Sequence, residues 1–364
     1  MARLVAFGEA MVRTMLDADG VLRETPGGAE WNVAVATARI GRAASFASSV
    51  PRAPEEWVLI REASLSAGVD LSDLVVADGD AGIGRYSVDP VARTVEYDRA
   101  DSAFATLDRG AFDWHAILDG ARWLVTSGIT PLLGDAPRAA WSAALTFAEM
   151  EGVLNAFDMN HRPALGPLVA LWGDMVARMR QFHVVVTSPE TLDGIAAIEG
   201  WPSPSGDEDR IDVMQRIREK TLLPHLCCCF KSPAPVSTEV EENSPRARGT
   251  TEPGEVERHG AQTRWSAVAH AFGVDDTREV AVRHTPVEPL GGGDAWLAGY
   301  LDGLTEFGNL PTSPRLAAIR ADRLAALAQS TFGDASEVTR GMLSEAEERS
   351  VGPSEAEWRS GGAV

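Results

Sequence analysis

Short apolar runs alternate with longer stretches of helical period along most of the 364-residue chain. This alternation is typical of a mostly parallel sheet with helices on both faces. The pattern therefore predicts one doubly wound α/β domain over residues 1–335. The predicted strands cover residues 4–8, 44–50, 123–127, 153–158, 183–187, 226–230, 265–272 and 279–284, and the predicted helices cover residues 29–40, 55–67, 137–150, 168–181, 208–222, 293–305 and 315–330.

Two segments interrupt the alternation, at residues 11–26 and 81–100. Each contains pieces with a period of two, and the turn formers Asp89 and Pro90 separate two such pieces, which predicts a hairpin. A small sheet that projects from an α/β domain often acts as a lid. We therefore expect a β lid built from these segments.

Two polar stretches lie outside the predicted elements. Residues 233–260 are rich in Pro, Ser, Thr, Glu and Gly. Such a segment buries too little apolar surface to offset the entropy cost of ordering it, which predicts a disordered acidic insertion. Residues 344–364 are similarly polar, and we expect them to form a frayed C-terminal tail.

The charge of the chain excludes two classes of partner. With 33 Lys+Arg against 53 Asp+Glu, the formal net charge is −20, which argues against binding to nucleic acid or to an anionic membrane. No apolar run reaches the roughly 20 residues of a membrane span, and the first ten residues do not resemble a signal peptide. A cytoplasmic protein is expected. The consecutive Cys227, Cys228 and Cys229 lack zinc-site spacing and indicate a buried strand.

The segment PLGGGDAWLAGY, residues 289–300, places three glycines and an aspartate at the start of a predicted helix. The N–H groups of Gly291, Gly292 and Gly293 would form an anion site at the positive helix end. Asp294 would repel that anion unless it had a chemical role, such as taking the proton of a hydroxyl that attacks a phosphoryl group. A simple glycine turn with Asp294 as a helix cap fits the same residues.

Two further segments are candidates for ligand contact. Gly28 precedes a predicted helix whose first turns contain Asn32, and an asparagine amide both donates to and accepts from hydroxyl groups. Arg162 follows an apolar strand at the sheet edge where ligands of open α/β sheets bind, and its planar fork suits a carboxylate or phosphate. Tyr97 and Arg99 lie on the predicted lid. The same residue types also occur at solvent-exposed positions that contact no ligand.

Taken in order, these segments resemble the PfkB (ribokinase-like) family of carbohydrate kinases. GGAEWNVAVATARIG at 27–41 and GGGDAWLAGYLDGL at 291–304 are similar to its two signatures. Within the family, the chain most resembles the 2-keto-3-deoxygluconate kinases. The further motifs are GEAMVR at 8–13, YDRADSA at 97–103, WLVTSGIT at 123–130, FDMNHRPAL at 157–165 and STFGD at 330–334. The resemblance covers about residues 3–335 without the insertion.

The resemblance implies a ribokinase-like fold and an ATP-dependent sugar kinase that uses Mg²⁺. Asp294 would be the base for the 6-hydroxyl of 2-keto-3-deoxygluconate or a close keto-acid sugar, and the amides of residues 291–293 would hold the γ-phosphoryl group. The resemblance also implies a homodimer through the lid. The sugar would contact Gly28, Asn32, Tyr86, Tyr97, Arg99 and Arg162, and the nucleotide would contact Lys231, Gly291, Gly293 and Ser330.

The chain departs from the family pattern in three places. Ser188 and Thr191 replace the Asn and Glu of the Asn-x-x-Glu motif that organises magnesium, which leaves Glu190 as the nearby carboxylate. Arg52 stands where an Asp is expected after the second strand. The nucleotide-side Thr-x-Gly-x-x-Gly is absent, and the segment that replaces it contains Lys231 as a candidate phosphate contact.

Two alternatives remain at this point. A ribokinase- or fructokinase-type enzyme for a neutral sugar would share the fold, although Arg99 and Arg162 would then have no anionic group to bind. A catalytically weak sugar-binding regulatory protein would need no base, and the altered Asn-x-x-Glu motif favours it. The retention of Asp294 and its three glycines favours the enzyme.

Overall fold

The computed structural model describes residues 3–16, 21–89, 94–233, 260–288, 290–308, 311–331 and 333–350. Its strands are β1 Arg3–Phe7, β2 Met11–Leu16, β3 Leu22–Gly27, β4 Ala44–Val50, β5 Leu74–Val76, β6 Gly84–Asp89, β7 Thr94–Asp98, β8 Ala121–Ser127, β9 Leu154–Asp158, β10 Val184–Thr187, β11 His225–Pro233, β12 Gln262–His270, β13 Gly273–Asp276 and β14 Val282–His284. Its α-helices are α1 Ala29–Arg39, α2 Val58–Ala67, α3 Trp114–Leu118, α4 Asp135–Glu151, α5 Leu168–Ala177, α6 Pro189–Ile198, α7 Asp207–Thr221, α8 Gly292–Phe307, α9 Ser313–Ala328 and α10 Arg340–Ser350.

The main sheet has the order β13-β12-β11-β10-β9-β8-β1-β4-β5, and β14 also pairs with β12. Neighbouring strands from β11 across to β5 are parallel, whereas β12 is antiparallel to β11, β13 and β14. The C-terminal ends of the parallel strands therefore share one edge, where an open α/β sheet binds its ligands.

Helices cover both faces of this sheet. Val5 and Phe7 of β1 belong to a core that includes side chains of α4 and α5. Leu4 and Ala6 of the same strand face a second core, which includes side chains of α1, α8 and α9. Because successive strand residues point to opposite faces, the part of a strand that is covered on both sides is apolar, as residues 4–7 of β1 show. The predicted doubly wound α/β architecture is confirmed.

A second sheet of four strands forms the predicted lid. Its order is β3-β2-β6-β7, with β6 and β7 as an antiparallel hairpin and β2 parallel to β6. The lid strands lie within the two interrupting segments of the sequence, and β3 extends one residue beyond them to Gly27. The turn residue Pro90 lies outside the described residues.

The boundary predicted for the C-terminal tail is wrong, because residues 340–350 form α10. Leu343 is fully buried in the second core. Glu347 is also buried, and its Oε1 accepts a hydrogen bond of 2.7 Å from Arg320 Nε. The polar sequence concealed this helix because its charged side chains include Arg340 and Glu347, which pair with α8 and α9. Residues 351–364 and the insertion at 234–259 lie outside the described residues.

Several short elements were not predicted, namely α3, α6, β5 and β13. Of the predicted strand at 279–284, only Val282–His284 is extended, because Arg278–Val280 forms a 3₁₀ turn. The three cysteines lie on β11 as expected, and burial raises the pKa of Cys227 and Cys228 well above the usual range. Among the described helices, none has the length and apolar character needed to cross a membrane.

Candidate active site

The side chain of Asn32 on α1 contacts the first turn of α8. Asn32 is 4% exposed, and its Nδ2 donates a hydrogen bond of 2.7 Å to Oδ2 of Asp294. The second amide atom, Oδ1 of Asn32, is buried and has no hydrogen-bond partner in the part of the chain that the structure describes. Since an unpaired buried oxygen is unfavourable, this atom is available to accept a hydrogen bond from a ligand hydroxyl. The structure thus brings together two residues that the sequence selected separately.

A glycine directly before each of the helices α1 and α8 determines how the chain enters the helix. Gly291 precedes α8 with φ 71°, and a Cβ there would lie 1.9 Å from the carbonyl oxygen of Asp334. Gly28 precedes α1 with φ 137°, and its Cβ would lie 2.3 Å from the carbonyl oxygen of Glu9. No other residue fits either position without moving a neighbouring backbone. The first amides of α8 therefore point outward from a helix N-terminus that packs closely against the backbone of a neighbouring segment.

Burial raises the pKa of Asp294 to about 8, and the carboxylates of Asp158 and Asp334 add to the effect. The hydrogen bond from Asn32 and the charge of Arg162 act in the opposite direction. A carboxyl group with a pKa near neutrality accepts a proton well, because its basicity is close to the working pH. The environment of Asp294 is suited to a general base.

The loop after β9 forms one wall of a cleft. Asp158 ends this strand, its Oδ1 accepts a hydrogen bond of 3.1 Å from the amide of Asn160, and burial raises its pKa to about 6. Asn160 has a left-handed backbone with φ 34°. Arg162 is exposed at the mouth of the cleft, where its charge acts on both Asp158 and Asp294.

The cleft is a cavity of about 360 Å³ at the C-terminal edge of the sheet. It collects predicted residues from four separate segments of the chain. Those that line it are Arg162, Glu190, Lys231 and Gly293. Partial desolvation within the cleft, and then the neighbouring Arg264, lower the pKa of the Lys231 ammonium to about 8. The arrangement is that of a polar site beside a helix N-terminus, which suits an anionic ligand.

The lid tyrosines lie on adjacent strands of the second sheet. The rings of Tyr86 and Tyr97 are stacked, with centroids 5.8 Å apart. Tyr86 is buried and its hydroxyl donates to Oδ2 of Asp334, whereas Tyr97 is 41% exposed. Oδ1 of Asp334 accepts a hydrogen bond of 2.5 Å from Nη1 of the buried Arg13. The lid is therefore bonded to the segment that follows α9.

Arg99 is buried in an ion pair. Its Nε donates a 2.7 Å hydrogen bond to Oε2 of Glu9, and its Nη2 donates to the same oxygen. Ser102 Oγ donates to the other carboxylate oxygen at 2.5 Å, and burial still raises the pKa of Glu9. The guanidinium charge of Arg99, which was predicted to face a substrate, is thus paired with the carboxylate of Glu9. Sequence reasoning missed Glu9, although it lies in the GEAMVR motif.

Some of the predicted site residues do not line the cleft, namely Gly28, Asn32, Tyr86, Tyr97, Arg99, Gly291, Gly292, Asp294 and Ser330. Ser330 lies just after α9, is exposed, and donates a 2.6 Å hydrogen bond to the carbonyl oxygen of Leu327. Ser188 and Thr191 line the cleft but are engaged in capping α6, since Oγ of Ser188 accepts a 3.2 Å hydrogen bond from the amide of Thr191. Capping explains why these two residue types occur at this helix start.

The donors in the cleft allow a test of the predicted cofactors. Within the described ranges, no group of three or more His, Cys, Asp or Glu side chains is arranged to hold a metal ion. Mg²⁺ commonly keeps several waters and binds through substrate phosphates with one or two carboxylates. Glu190, which lines the cleft, fits that limited role. The helix N-terminus and Lys231 fit the phosphates of a nucleotide.

Comparison with curated proteins gives a relative of moderate identity that covers part of the chain. No protein-family model matches the chain. A 2-dehydro-3-deoxygalactonokinase from Haloferax volcanii is 37% identical over 177 residues, which are 45% of this chain and 54% of that protein. The match spans about half the length of this curated relative.

Solved structures of similar shape cover nearly the whole chain. A 2-dehydro-3-deoxygluconokinase from Thermotoga maritima aligns with a TM-score of 0.79 and 23% identity over 95% of this chain and 98% of that one. A PfkB family carbohydrate kinase from Listeria grayi gives 0.75 and 22% over 95% and 99%. A fructokinase with bound ATP from Xylella fastidiosa gives 0.72 and 18% over 96% and 99%. These likenesses confirm that the chain has the ribokinase-like fold of PfkB carbohydrate kinases.

Proposed function

We propose that the chain is an ATP-dependent sugar kinase of the PfkB family that phosphorylates the 6-hydroxyl of 2-keto-3-deoxygluconate or a close keto-acid sugar. The observation that carries this proposal is the contact between Asn32 and Asp294 at the N-terminus of α8. It combines a hydroxyl-binding amide, a carboxyl group of raised pKa and a set of backbone donors in one place. The names of the Haloferax and Thermotoga relatives support a keto-acid sugar substrate.

The mechanism follows from the positions of these groups. Asn32 and Gly28 bind sugar hydroxyls, and Asp294 takes the proton of the attacking hydroxyl. The sugar oxygen forms a bond to the γ-phosphorus as the bond to the bridging oxygen of ADP breaks. The amides of residues 291–293 stabilise the charge of the transferring group. Glu190 and the nucleotide phosphates would hold Mg²⁺, and the ion would supply charge neutralisation when bound. Tyr86 and Tyr97 cover the sugar from the lid.

The carboxylate of a keto-acid sugar would depend mainly on Arg162. Arg99 is already paired with Glu9, so it has less charge to offer than its sequence position suggests. This pairing is the observation that keeps a neutral-sugar kinase as a second candidate. The engagement of Ser188 and Thr191 in a helix cap similarly keeps a weakly catalytic sugar-binding protein as an alternative.

An ADP-release assay distinguishes the three. The substrates are 2-keto-3-deoxygluconate, 2-keto-3-deoxygalactonate, gluconate, fructose and ribose, each with and without Mg²⁺. We expect turnover with the two keto-acid sugars, dependent on Mg²⁺ and lost in Asp294→Asn. Turnover of fructose or ribose alone would establish the neutral-sugar enzyme. Sugar binding by calorimetry without any ADP release would establish the binding protein.

Dimerisation through the lid and a cytoplasmic location also belong to this proposal. The four-stranded sheet has open edges at β3 and β7, which is where a second lid would pair. Light scattering of the intact chain tests the first point. A mass of about one chain at micromolar concentration would contradict the dimer.

A further inference from the structure

Arg264 is a buried arginine with an incomplete set of partners. It lies on β12, its side chain is inaccessible to solvent, and its Nη2 donates a 2.7 Å hydrogen bond to Oε1 of Gln329. Its Nε and Nη1 are buried and have no hydrogen-bond partner within the described ranges. Of the three guanidinium nitrogens, Nη2 is thus the one with an acceptor there.

The carboxylate of Asp322 does not form an ion pair with this guanidinium. Asp322 acts on Arg264 electrostatically, but its oxygens accept hydrogen bonds from Ser266, Thr277 and Trp296 instead. In the described part of the chain, Arg264 forms no ion pair within 4.0 Å. A buried cation without a counter-charge is strongly unfavourable, and proteins seldom retain one without a use.

Arg264 faces the same cleft as the start of α8. Its guanidinium lies against the first helical turn, since a Cβ on Gly292 would be 2.9 Å from Nη2. It lines the 360 Å³ cavity together with Gly293 and Lys231. Lys231 is also its direct cross-strand partner on β11. Like charges opposite each other destabilise a sheet, and a helix N-terminus adds a third positive feature.

We propose that Arg264 binds the polyphosphate of the nucleotide, through donors on Nε and Nη1 that have no partner among the described residues. The inference rests on the proposed kinase function and adds a phosphate-binding residue to it. An anion between Arg264, Lys231 and the amides of α8 neutralises all three positive features at once. A planar guanidinium suits this role because it donates to two oxygens of one phosphate.

The position also explains how the chain manages without a Thr-x-Gly-x-x-Gly segment. That segment is expected on the nucleotide side, and the chain has two cations there instead, on neighbouring strands. Gln329 is a positioning residue in this arrangement. Its Oε1 accepts the hydrogen bond from Nη2 of Arg264 and also contacts Nε2 of His284 at 3.1 Å, which fixes one nitrogen of the guanidinium.

Calorimetric titration of the full chain with ATP, inorganic tripolyphosphate and adenosine tests the proposal. The variants are Arg264→Met and, as a matched control, Arg216→Met on the exposed face of α7. We expect Arg264→Met to weaken ATP and tripolyphosphate binding at least tenfold, leave adenosine binding unchanged, and raise KM for ATP more than it lowers kcat. Its Tm without ligand should equal or exceed that of the wild type, because an unpaired buried charge has been removed.

Unchanged ATP affinity together with a lower Tm would show a purely structural arginine and overturn the proposal. If Arg264→Met does not fold, Arg264→Gln, which keeps a donor for Gln329, decides between the same two outcomes. Tripolyphosphate binding that depends on Arg264 in a chain with no kinase activity would reject the proposed function but retain this inference. An active kinase whose ATP affinity is unchanged in Arg264→Met would retain the proposed function and reject this inference.

Discussion

Nδ2 of Asn32 lies 2.7 Å from Oδ2 of Asp294, although 262 positions separate the two residues in the chain. The contact exists because α1 and α8 pack side by side in the second core and both start at the ligand-binding edge of the sheet. It opposes the effect of burial on Asp294, since a hydrogen bond to the charged carboxylate lowers its pKa. Asn32 is therefore placed to tune the base as well as to bind sugar.

Removing this donor should shift the pH dependence of turnover. In Asn32→Ala the pKa of Asp294 rises above its wild-type value of about 8, because the hydrogen bond that lowers it is lost. The base must be ionised to act, so the rising limb of kcat/KM against pH should move to higher pH. A profile from pH 5.5 to 10 measures this shift. Gln215→Ala, on the exposed side of α7, should leave the limb in place. An unmoved limb in Asn32→Ala would contradict the tuning role.

Asp294→Asn should lower kcat by about 10²–10⁴-fold, the usual contribution of a positioned general base. Steady-state kinetics measure this loss.

The same variant should also change how the stability of the protein depends on pH. The folded pKa of about 8 lies above the unfolded value, so the wild type loses stability as pH rises from about 4 to about 8. Asparagine does not titrate. The Tm of the variant relative to wild type should therefore be nearly constant below pH 4, rise up to pH 8 and then level off.

Thermal melts at pH 4, 6, 8 and 9 measure that difference, with Asp212→Asn on α7 as an exposed control of the same chemistry. The control should show no such pH dependence. Equal slopes for the two variants would mean that Asp294 titrates as an ordinary surface carboxyl group, and its role as a tuned base would have to be abandoned.

The sequence was sufficient for the architecture because apolar runs and helical periods depend on local composition. It also placed Asn32 and Asp294 in the first turns of two helices, because their motifs are local too. It failed where a side chain's role depends on a distant partner. Arg99 looks like a free cation until Glu9, 90 positions away, is found beside it. Arg264 carries no motif, and only the pairing of β11 with β12 places it opposite Lys231. No local pattern contains such information.

The bond between Tyr86 and Asp334 should stabilise the closed lid. In Tyr86→Phe the carboxylate of Asp334 keeps Arg13 but loses a donor in a buried position, which costs about 1–3 kcal/mol in unfolding free energy. KM for the sugar should also rise, because the lid is held less firmly. Urea denaturation and steady-state kinetics measure the two effects. Tyr97→Phe removes the same atom from an exposed ring and should change the stability little. Similar losses in both variants would argue against a specific lid bond.

Arg162 and Arg99 should respond to substitution in opposite ways. Arg99→Met leaves the buried carboxyl group of Glu9 without its cation, which typically costs about 3–5 kcal/mol, so the protein should be much less stable. Arg162→Met removes an exposed charge and should leave Tm unchanged. If Arg162 binds the carboxylate of a keto-acid sugar, its loss should raise KM for that substrate at least tenfold, while kcat/KM for a neutral sugar stays the same. The ratio of kcat/KM for the two substrates, measured in the folded Arg162 variant, gives the answer directly. A ratio equal to that of the wild type would mean that Arg162 does not bind the carboxylate of the sugar, and would favour the neutral-sugar kinase.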